Sequence, residues 1–215
     1  MAHPYWPIFD LEITTPRLVL RLPVDAEFPP LIALAREVIP DAKFLGHWLM
    51  TQEPEFGKSF AQFHWDARAS WKSAKWVLPL GVFVDGEPAG LQGIEADDFS
   101  KLGEVSTGSW LAPEYRGTGL GAEMRAAVVQ FAFAGLGALV AQSSARETNH
   151  ASRAVSEKLG YQHNGVNRVE YGNGDIDSEI KLRLTREQWQ ANRRDDITID
   201  GLDGCENMFG LGSPA

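Results

Sequence analysis

The sequence predicts an α+β fold in which a mixed central sheet of about seven strands carries helices on both faces. Three observations support that expectation. The chain has 215 residues, 44% hydrophobic and 23% charged, a globular composition long enough for one substantial core. Apolar residues recur with a period of two in some segments and of about 3.6 in others. The resulting order is strand, two helices, three strands, helix, strand, helix, hairpin. Only the helical connections in that order can join parallel neighbours, so the sheet is mixed.

After Thr15-Pro16, residues Arg17 to Leu22 alternate polar and apolar side chains, with Leu18, Leu20 and Leu22 on one face, and Pro23 ends this strand. Asp25 can cap a helix carrying Phe28, Leu31, Ile32, Ala35 and Val38 as far as Pro40. A second helix is expected from about Pro54 to Lys72, where Phe60, Phe63, His64, Ala67 and Trp71 share a face. Two strands, Trp76 to Val84 and Pro88 to Glu95, join through Asp85-Gly86, a pair that favours a tight hairpin. A third strand, Glu104 to Leu111, stops at Ala112-Pro113.

The next helix opens near Gly119, sets Leu120, Met124, Ala127, Val128 and Phe131 on a common face, and ends at Gly135 or Gly137. Ala138 to Ser143 reads as a buried strand. Asn149 then caps a helix to Leu159, with Gly160 at its stop position. From Tyr161 a hairpin turns around Gly172-Asn173-Gly174-Asp175 and returns through Ile180, Leu182 and Leu184, and Thr185 to Arg194 forms a short last helix. Residues 1–194 are read as one domain. Residues 195–215 carry five acidic side chains, no basic one and four glycines, and are expected to be a mobile or partner-docked tail.

Charge and cysteine usage narrow the function. Twenty Lys plus Arg against 29 Asp plus Glu give a formal net charge of -9, which argues against a nucleic-acid partner. The single cysteine, Cys205, excludes an intramolecular disulfide framework and a Cys-rich zinc site and reads as an inert free thiol. No metal is expected, and the default location is cytoplasmic. Met1 to Ile8 has two prolines and no basic run before an apolar one, so it does not read as a signal peptide. The apolar stretch from Ala126 to Ala141 is about sixteen residues, interrupted by Gln130, Gly135 and Gly137, and falls short of the roughly 20 a bilayer helix needs. No membrane partner is expected.

The sharpest local feature is a strand running into a glycine loop that opens a helix: Trp110-Leu111-Ala112-Pro113-Glu114-Tyr115-Arg116-Gly117-Thr118-Gly119-Leu120-Gly121-Ala122. Backbone N–H groups in such a loop converge on one spot and the helix dipole adds positive potential there, which suits a phosphate or pyrophosphate. A Walker loop is excluded because no Gly-Lys-Ser/Thr follows, and the spacing is not the dinucleotide G-x-G-x-x-G. About thirty residues on stands Asn149-His150-Ala151-Ser152-Arg153-Ala154-Val155-Ser156-Glu157-Lys158-Leu159-Gly160-Tyr161.

With Thr15-Pro16-Arg17-Leu18-Val19-Leu20-Arg21 opening the domain, this arrangement resembles the GNAT superfamily of acyl-CoA-dependent N-acyltransferases, and within it the RimJ/RimL-type branch. The resemblance spans roughly residues 12 to 186 and implies the GNAT fold. It implies an N-acetyltransferase that moves an acetyl group from acetyl-CoA to a primary amine by direct attack in a ternary complex. The acceptor would be a small molecule or a protein N-terminus, and the assembly a homodimer. Two alternatives stay open: another acyl donor such as succinyl-CoA, and a non-catalytic acyl-CoA-binding regulatory module.

In that reading Arg116, Gly117, Thr118, Gly119, Leu120, Gly121 and Ala122 hold the CoA pyrophosphate. Backbone groups of Ser109, Trp110 and Leu111, on a strand splayed from its neighbour, meet the pantetheine arm, and Asn149 and Ser152 meet it from the other side. Many relatives carry a Tyr seven residues after the Asn as acid for the thiolate; this chain has Ser156 there, either the acid or a packing residue. For the base, Glu147 is a candidate or a solvated loop carboxylate. His64 borders the acceptor cleft or is a core histidine, and Glu104 lies on the face away from Leu111. Trp48, Trp65, Trp71 and Trp76 either line an acceptor pocket or belong to the core, and Arg68 either recognises a carboxylate or forms a surface salt bridge.

Overall fold

The computed structural model describes residues 3–38, 55–170 and 176–211. Trp48, the hairpin turn at residues 172–175 and the end of the first expected helix beyond Val38 lie outside them. The described chain forms one nine-stranded sheet. Its strands are β1 (Glu12–Thr14), β2 (Val19–Arg21), β3 (Lys75–Val84), β4 (Glu87–Asp97), β5 (Glu104–Leu111), β6 (Val140–Arg146), β7 (Gln162–Glu170), β8 (Ile176–Thr185) and β9 (Thr198–Asp200). The helices are α1 (Phe28–Val38), α2 (Glu55–Ala69), α3 (Phe99–Leu102), α4 (Leu120–Gln130), α5 (His150–Lys158) and α6 (Arg186–Asn192).

The strand order is β7-β8-β6-β5-β4-β3-β2-β1-β9. Every neighbouring pair is antiparallel except β5 and β6, which are parallel and joined through α4, because a parallel pair needs a long crossover. Asp85 and Gly86 both take positive φ, as the tight hairpin between β3 and β4 demands. Consecutive residues of β5 point to opposite faces. Trp110 packs with Phe28, Leu31, Phe56, Phe60 and Leu91 under α1 and α2, whereas Leu111 joins the larger core under α4.

Two strands exceed the expected seven. β1 is three residues long, too short for its period to show, and β9 lies in the segment expected to be a mobile or partner-docked tail. That expectation is corrected. β9 pairs with β1, Ile197 and Cys205 are buried, and Phe209 sits against Trp71, Trp76 and Phe131. The acidic side chains point outwards while the interspersed apolar ones close the core; residues 212–215 lie outside the description. The helix after the glycine loop ends in a π turn over Phe131–Gly135, which keeps Phe131 and Phe133 both buried. Among the described residues no helix is long and apolar enough to cross a membrane.

Candidate functional site

Pairing between β5 and β6 runs from Glu104 and Val140 to Thr107 and Ser143 and stops there. Beyond that point β5 continues along β4 to Leu111, and β6 continues along β8 to Arg146. The two strands therefore diverge, and a cleft of about 740 Å³ opens between them under α4 and α5. Its lining includes Ser109, Trp110 and Leu111 of the splayed strand, Arg116, Gly117, Gly119, Gly121 and Ala122 of the loop, and Asn149 and Ser152 of α5. These ten were singled out in the sequence, and the fold brings them together.

Gly117 and Gly119 take φ of 75° and 88°, left-handed values that glycine adopts without strain. Gly119 caps α4, so the first N–H groups of that helix have no partner within it and are available to an anion. The loop is tied down from three sides. The Thr118 hydroxyl donates to the Tyr115 carbonyl (2.6 Å), Arg116 Nε donates to the Leu111 carbonyl (3.2 Å), and Arg17 Nη1 donates to the Thr118 carbonyl (3.1 Å). Arg17 also gives Nε and Nη2 to Glu123 Oε2 (2.8 and 2.6 Å), and Thr15 gives its hydroxyl to Glu123 Oε1 (2.7 Å). Burial alone would raise the Glu123 carboxyl pKa, but the hydrogen bonds from Thr15 and Arg17 and the Arg17 charge together hold it below its ordinary value. Thr118 and Leu120 serve the loop without lining the cleft; Leu120 packs into the core.

On the other wall, Asn149 Oδ1 accepts from the Ser152 N–H (3.1 Å), the cap expected at the start of α5. Among the described residues, Arg116, Arg125, Arg146 and Lys158 line the cleft and no Asp or Glu does. In a chain of net charge -9, four cations around one concavity make a site for a large anion.

The three expected catalytic residues do not line this cleft. Ser156 is fully buried; its hydroxyl donates to the Ser152 carbonyl (3.2 Å) and accepts from Arg125 Nη1 at 3.5 Å. Glu147 is exposed on the loop before α5, where its backbone pairs with Ser178 and Arg153. His64 is 0% exposed, wedged between Phe28 and Phe60 at 4.9 and 4.7 Å between ring centroids. Among the described residues neither ring nitrogen has a hydrogen-bond partner, and burial, reinforced by the Arg68 charge, pulls its pKa down to about 3. It is a neutral core residue.

Of the tryptophans, Trp76 and Trp71 stack in the core, and Trp71 Nε1 donates to the Met208 carbonyl (2.8 Å). Trp65 Nε1 and Arg68 Nη1 both donate to Asp25 (3.1 and 3.0 Å), so Arg68 is engaged in a salt bridge. Burial, with nearby Glu206, Asp10 and Asp203, pushes the Cys205 thiol up to about 11.

Two residues at the clefts were not singled out in the sequence. Arg125 lines the cleft although only 3% exposed, and its signal was a cation inside a helix otherwise buried all round. Glu95 stands with Glu104, Ser106 and Gln142 in a second cleft of about 350 Å³. Its partners across β4 and β5 put it on the face opposite Thr107 and Ser109. Glu95 keeps contact with solvent, yet the protein packed around it raises its carboxyl pKa, partly offset by Lys75. The paired Gly93 and Gly108 leave the sheet bare between Glu95 and the splay. Among the described residues no group of three or more His, Cys, Asp or Glu could hold a metal ion.

Residues 17–162 match the family model described as an acetyltransferase (GNAT) domain. Among solved structures, RimJ of Mycobacterium smegmatis with a CoA disulfide is 24% identical over 86% of this chain and 91% of its own, with a TM-score of 0.67. RimL, a ribosomal-protein alpha-N-acetyltransferase in complex with coenzyme A, is 20% identical over 80% of this chain and 95% of its own (TM-score 0.65). A GNAT-family acetyltransferase from Bacillus anthracis is 16% identical over 82% and 99% (TM-score 0.67). At these identities the likeness is one of fold.

Proposed function

The chain belongs to the acetyltransferase (GNAT) domain family, and from that membership and the cleft we propose an acyl-CoA-dependent N-acyltransferase, acetyl being the simplest group moved, that acts on a primary amine in a ternary complex. The observation that supports this most is the splay of β5 from β6 beside an anion loop ringed by four cations. The loop and the start of α4 hold the pyrophosphate of the donor. The free edge of β5 receives the pantetheine arm in the manner of an added strand, which fixes the thioester against the backbone of Ser109 to Leu111.

The neutral amine attacks the thioester carbonyl carbon, the C–N bond forms and the C–S bond breaks. The amine proton passes to Glu95 through solvent on the opposite face of the sheet, where the bare glycine pair leaves room for the acceptor. The carboxyl of Glu95 is shifted upwards by the protein packed around it, the direction that makes a carboxylate a stronger base. Ser109 accepts from Arg125 Nη2 (3.0 Å), which leaves its own hydroxyl proton for the departing thiolate. Ser156 acts through Arg125 as a positioning residue, since its proton is committed to the Ser152 carbonyl. In this reading the protein works in the cytoplasm as a homodimer, and β7 is one of the two edge strands of the sheet.

The acceptor follows from proton arithmetic. At pH 7 an α-amine with a pKa of about 7.8 is roughly 14% neutral and a lysine amine at about 10.4 roughly 0.04%. A single solvent-bridged carboxylate favours the α-amine of a protein N-terminus or a small amine of lowered pKa. Thiol release from acetyl-CoA, measured with two peptides that differ only in which amine is blocked, tests this. Faster transfer to the α-amine is expected. Faster transfer to lysine would overturn the acceptor class, and failure to bind CoA at all would overturn the site.

A further inference from the structure

The segment Thr15-Pro16-Arg17-Leu18 lines no part of the cleft, yet it is tied both to the glycine loop and to the helix that follows. Glu123, in the first turn of α4, holds the tie together. Its side chain is only 4% exposed. Oε1 accepts from Thr15 Oγ1 (2.7 Å) and from the Arg17 N–H (3.2 Å), and Oε2 accepts from Arg17 Nε (2.8 Å) and Nη2 (2.6 Å). This side-on pairing fixes the plane of the guanidinium. The remaining arm then reaches the loop, where Nη1 donates to the Thr118 carbonyl (3.1 Å). Arg194 Nη1 lies 4.0 Å from Glu123, but Arg194 gives its Nε and Nη2 to Asp196 (2.7 and 2.6 Å). Among the described residues Arg17 is therefore the cation that hydrogen-bonds Glu123.

In a trans peptide the C=O and the following N–H point in opposite directions. With the Thr118 carbonyl held by Arg17, the Gly119 N–H is turned away from Arg17, and among the described residues it has no acceptor. Gly119 itself lines the cleft. A carboxylate in the first turn of α4 would oppose an anion bound at that helix start. Glu123 is such a carboxylate: against the opposing effect of burial, the hydrogen bonds from Thr15 and Arg17 keep it ionised. The Arg17 charge cancels it at a contact of 2.6 Å. The bond to Thr118 is exposed to solvent, and an exposed hydrogen bond adds little to the stability of a fold. It does orient a donor before any ligand arrives, which reduces the entropy lost when the loop is ordered on binding.

We propose that Arg17 is a positioning residue for the diphosphate of the acyl donor: it keeps the Thr118–Gly119 peptide turned so that the Gly119 N–H meets the diphosphate, and it cancels the charge of Glu123 behind that N–H. Arg17 acts through the loop and touches no reacting atom. This rests on the acyltransferase reading and adds to its donor site a residue from outside the cleft.

Two ligands separate this role from a structural one: acetyl-CoA, followed by calorimetry, and S-acetylpantetheine, which carries the same thioester arm without the diphosphate and is followed by amide chemical-shift titration. Arg17→Met is expected to weaken binding of acetyl-CoA at least tenfold and to leave the dissociation constant of S-acetylpantetheine within twofold. A smaller loss for acetyl-CoA, or an equal loss for both ligands, overturns the positioning role. Arg17→Met combined with Glu123→Gln leaves no buried carboxylate without its cation, so this double variant decides the case if the single one does not fold. It should bind acetyl-CoA at least fivefold more weakly than wild type, because the peptide is still not held; any smaller loss overturns the role. In wild type the Gly119 amide resonance should move on addition of CoA and stay in place with S-acetylpantetheine. No movement with CoA, or equal movement with both, overturns the orientation assigned to that N–H. Tight binding of CoA by wild type and variants alike leaves the acyltransferase reading standing without Arg17, whereas no binding of CoA by wild type brings both down.

Discussion

His64 carries the clearest pH signature of any single residue. Its pKa of about 3 in the fold lies below the ordinary value near 6.5 of an unfolded chain, because burial among Phe28, Phe60 and Phe63 disfavours the cation. Below pH 6.5 the unfolded chain therefore takes up a proton that the folded protein does not, and stability falls with pH until the folded pKa is reached. Between pH 7 and pH 5 this amounts to about 2 kcal/mol. Urea denaturation at the two pH values should show His64→Leu losing about that much less than wild type; equal losses would mean that the histidine is not held neutral. The helical face of His64 was legible from its spacing to Phe60 and Ala67, but its burial was not, since the same spacing fits a cleft wall. Arg125 was less legible still. Its meaning depends on hydroxyls from β5, β6 and α5, distant in sequence and adjacent only in the fold.

The loop from Arg116 to Gly121 and the helix it opens form the element on which binding depends. Gly119 caps α4 with φ of 88°, where an L side chain is strained, and a Cβ there would stand 3.5 Å from Arg17 Nη2. Gly119→Leu should weaken binding of acetyl-CoA at least tenfold, about 1.4 kcal/mol, by tilting the N–H groups and filling the approach to them. Calorimetry checks it, with circular dichroism to confirm the fold, and an unchanged affinity in a folded variant would move the pyrophosphate elsewhere. The loop was legible because glycines and Pro113 punctuate it so densely, and the strand before it was delimited from Glu104 to Leu111 as observed. The clasp of Arg17 and Glu123 on that loop was not. It joins residues more than a hundred positions apart, and no local pattern encodes it.

Across the whole molecule, the acidic C-terminal segment closes the sheet and the core together. Gly201 lies so close to the Asp10 carbonyl that a Cβ would collide with it, and Phe209 fills the space between Trp71, Trp76 and Phe131. Phe209→Ala should cost about 3–5 kcal/mol, as expected for deleting a fully buried aromatic ring. Chemical denaturation measures it, and a loss below about 1 kcal/mol would mean that the segment is not part of the core. The segment's high charge concealed this role, because composition averages over the alternation of Ile197, Ile199, Leu202 and Phe209 with the acids. The sequence by itself determined the α+β class, the order of the principal elements and the anion loop, because periodicity, caps and turn residues act over a few neighbouring positions. Only the tertiary structure decided that His64 and Ser156 are withdrawn from the cleft, that Arg125 lines it while Glu95 stands in a second cleft, and that the tail supplies a ninth strand. Those outcomes depend on which distant side chains share a burial site, and the free energy of such a contact is a property of the pair.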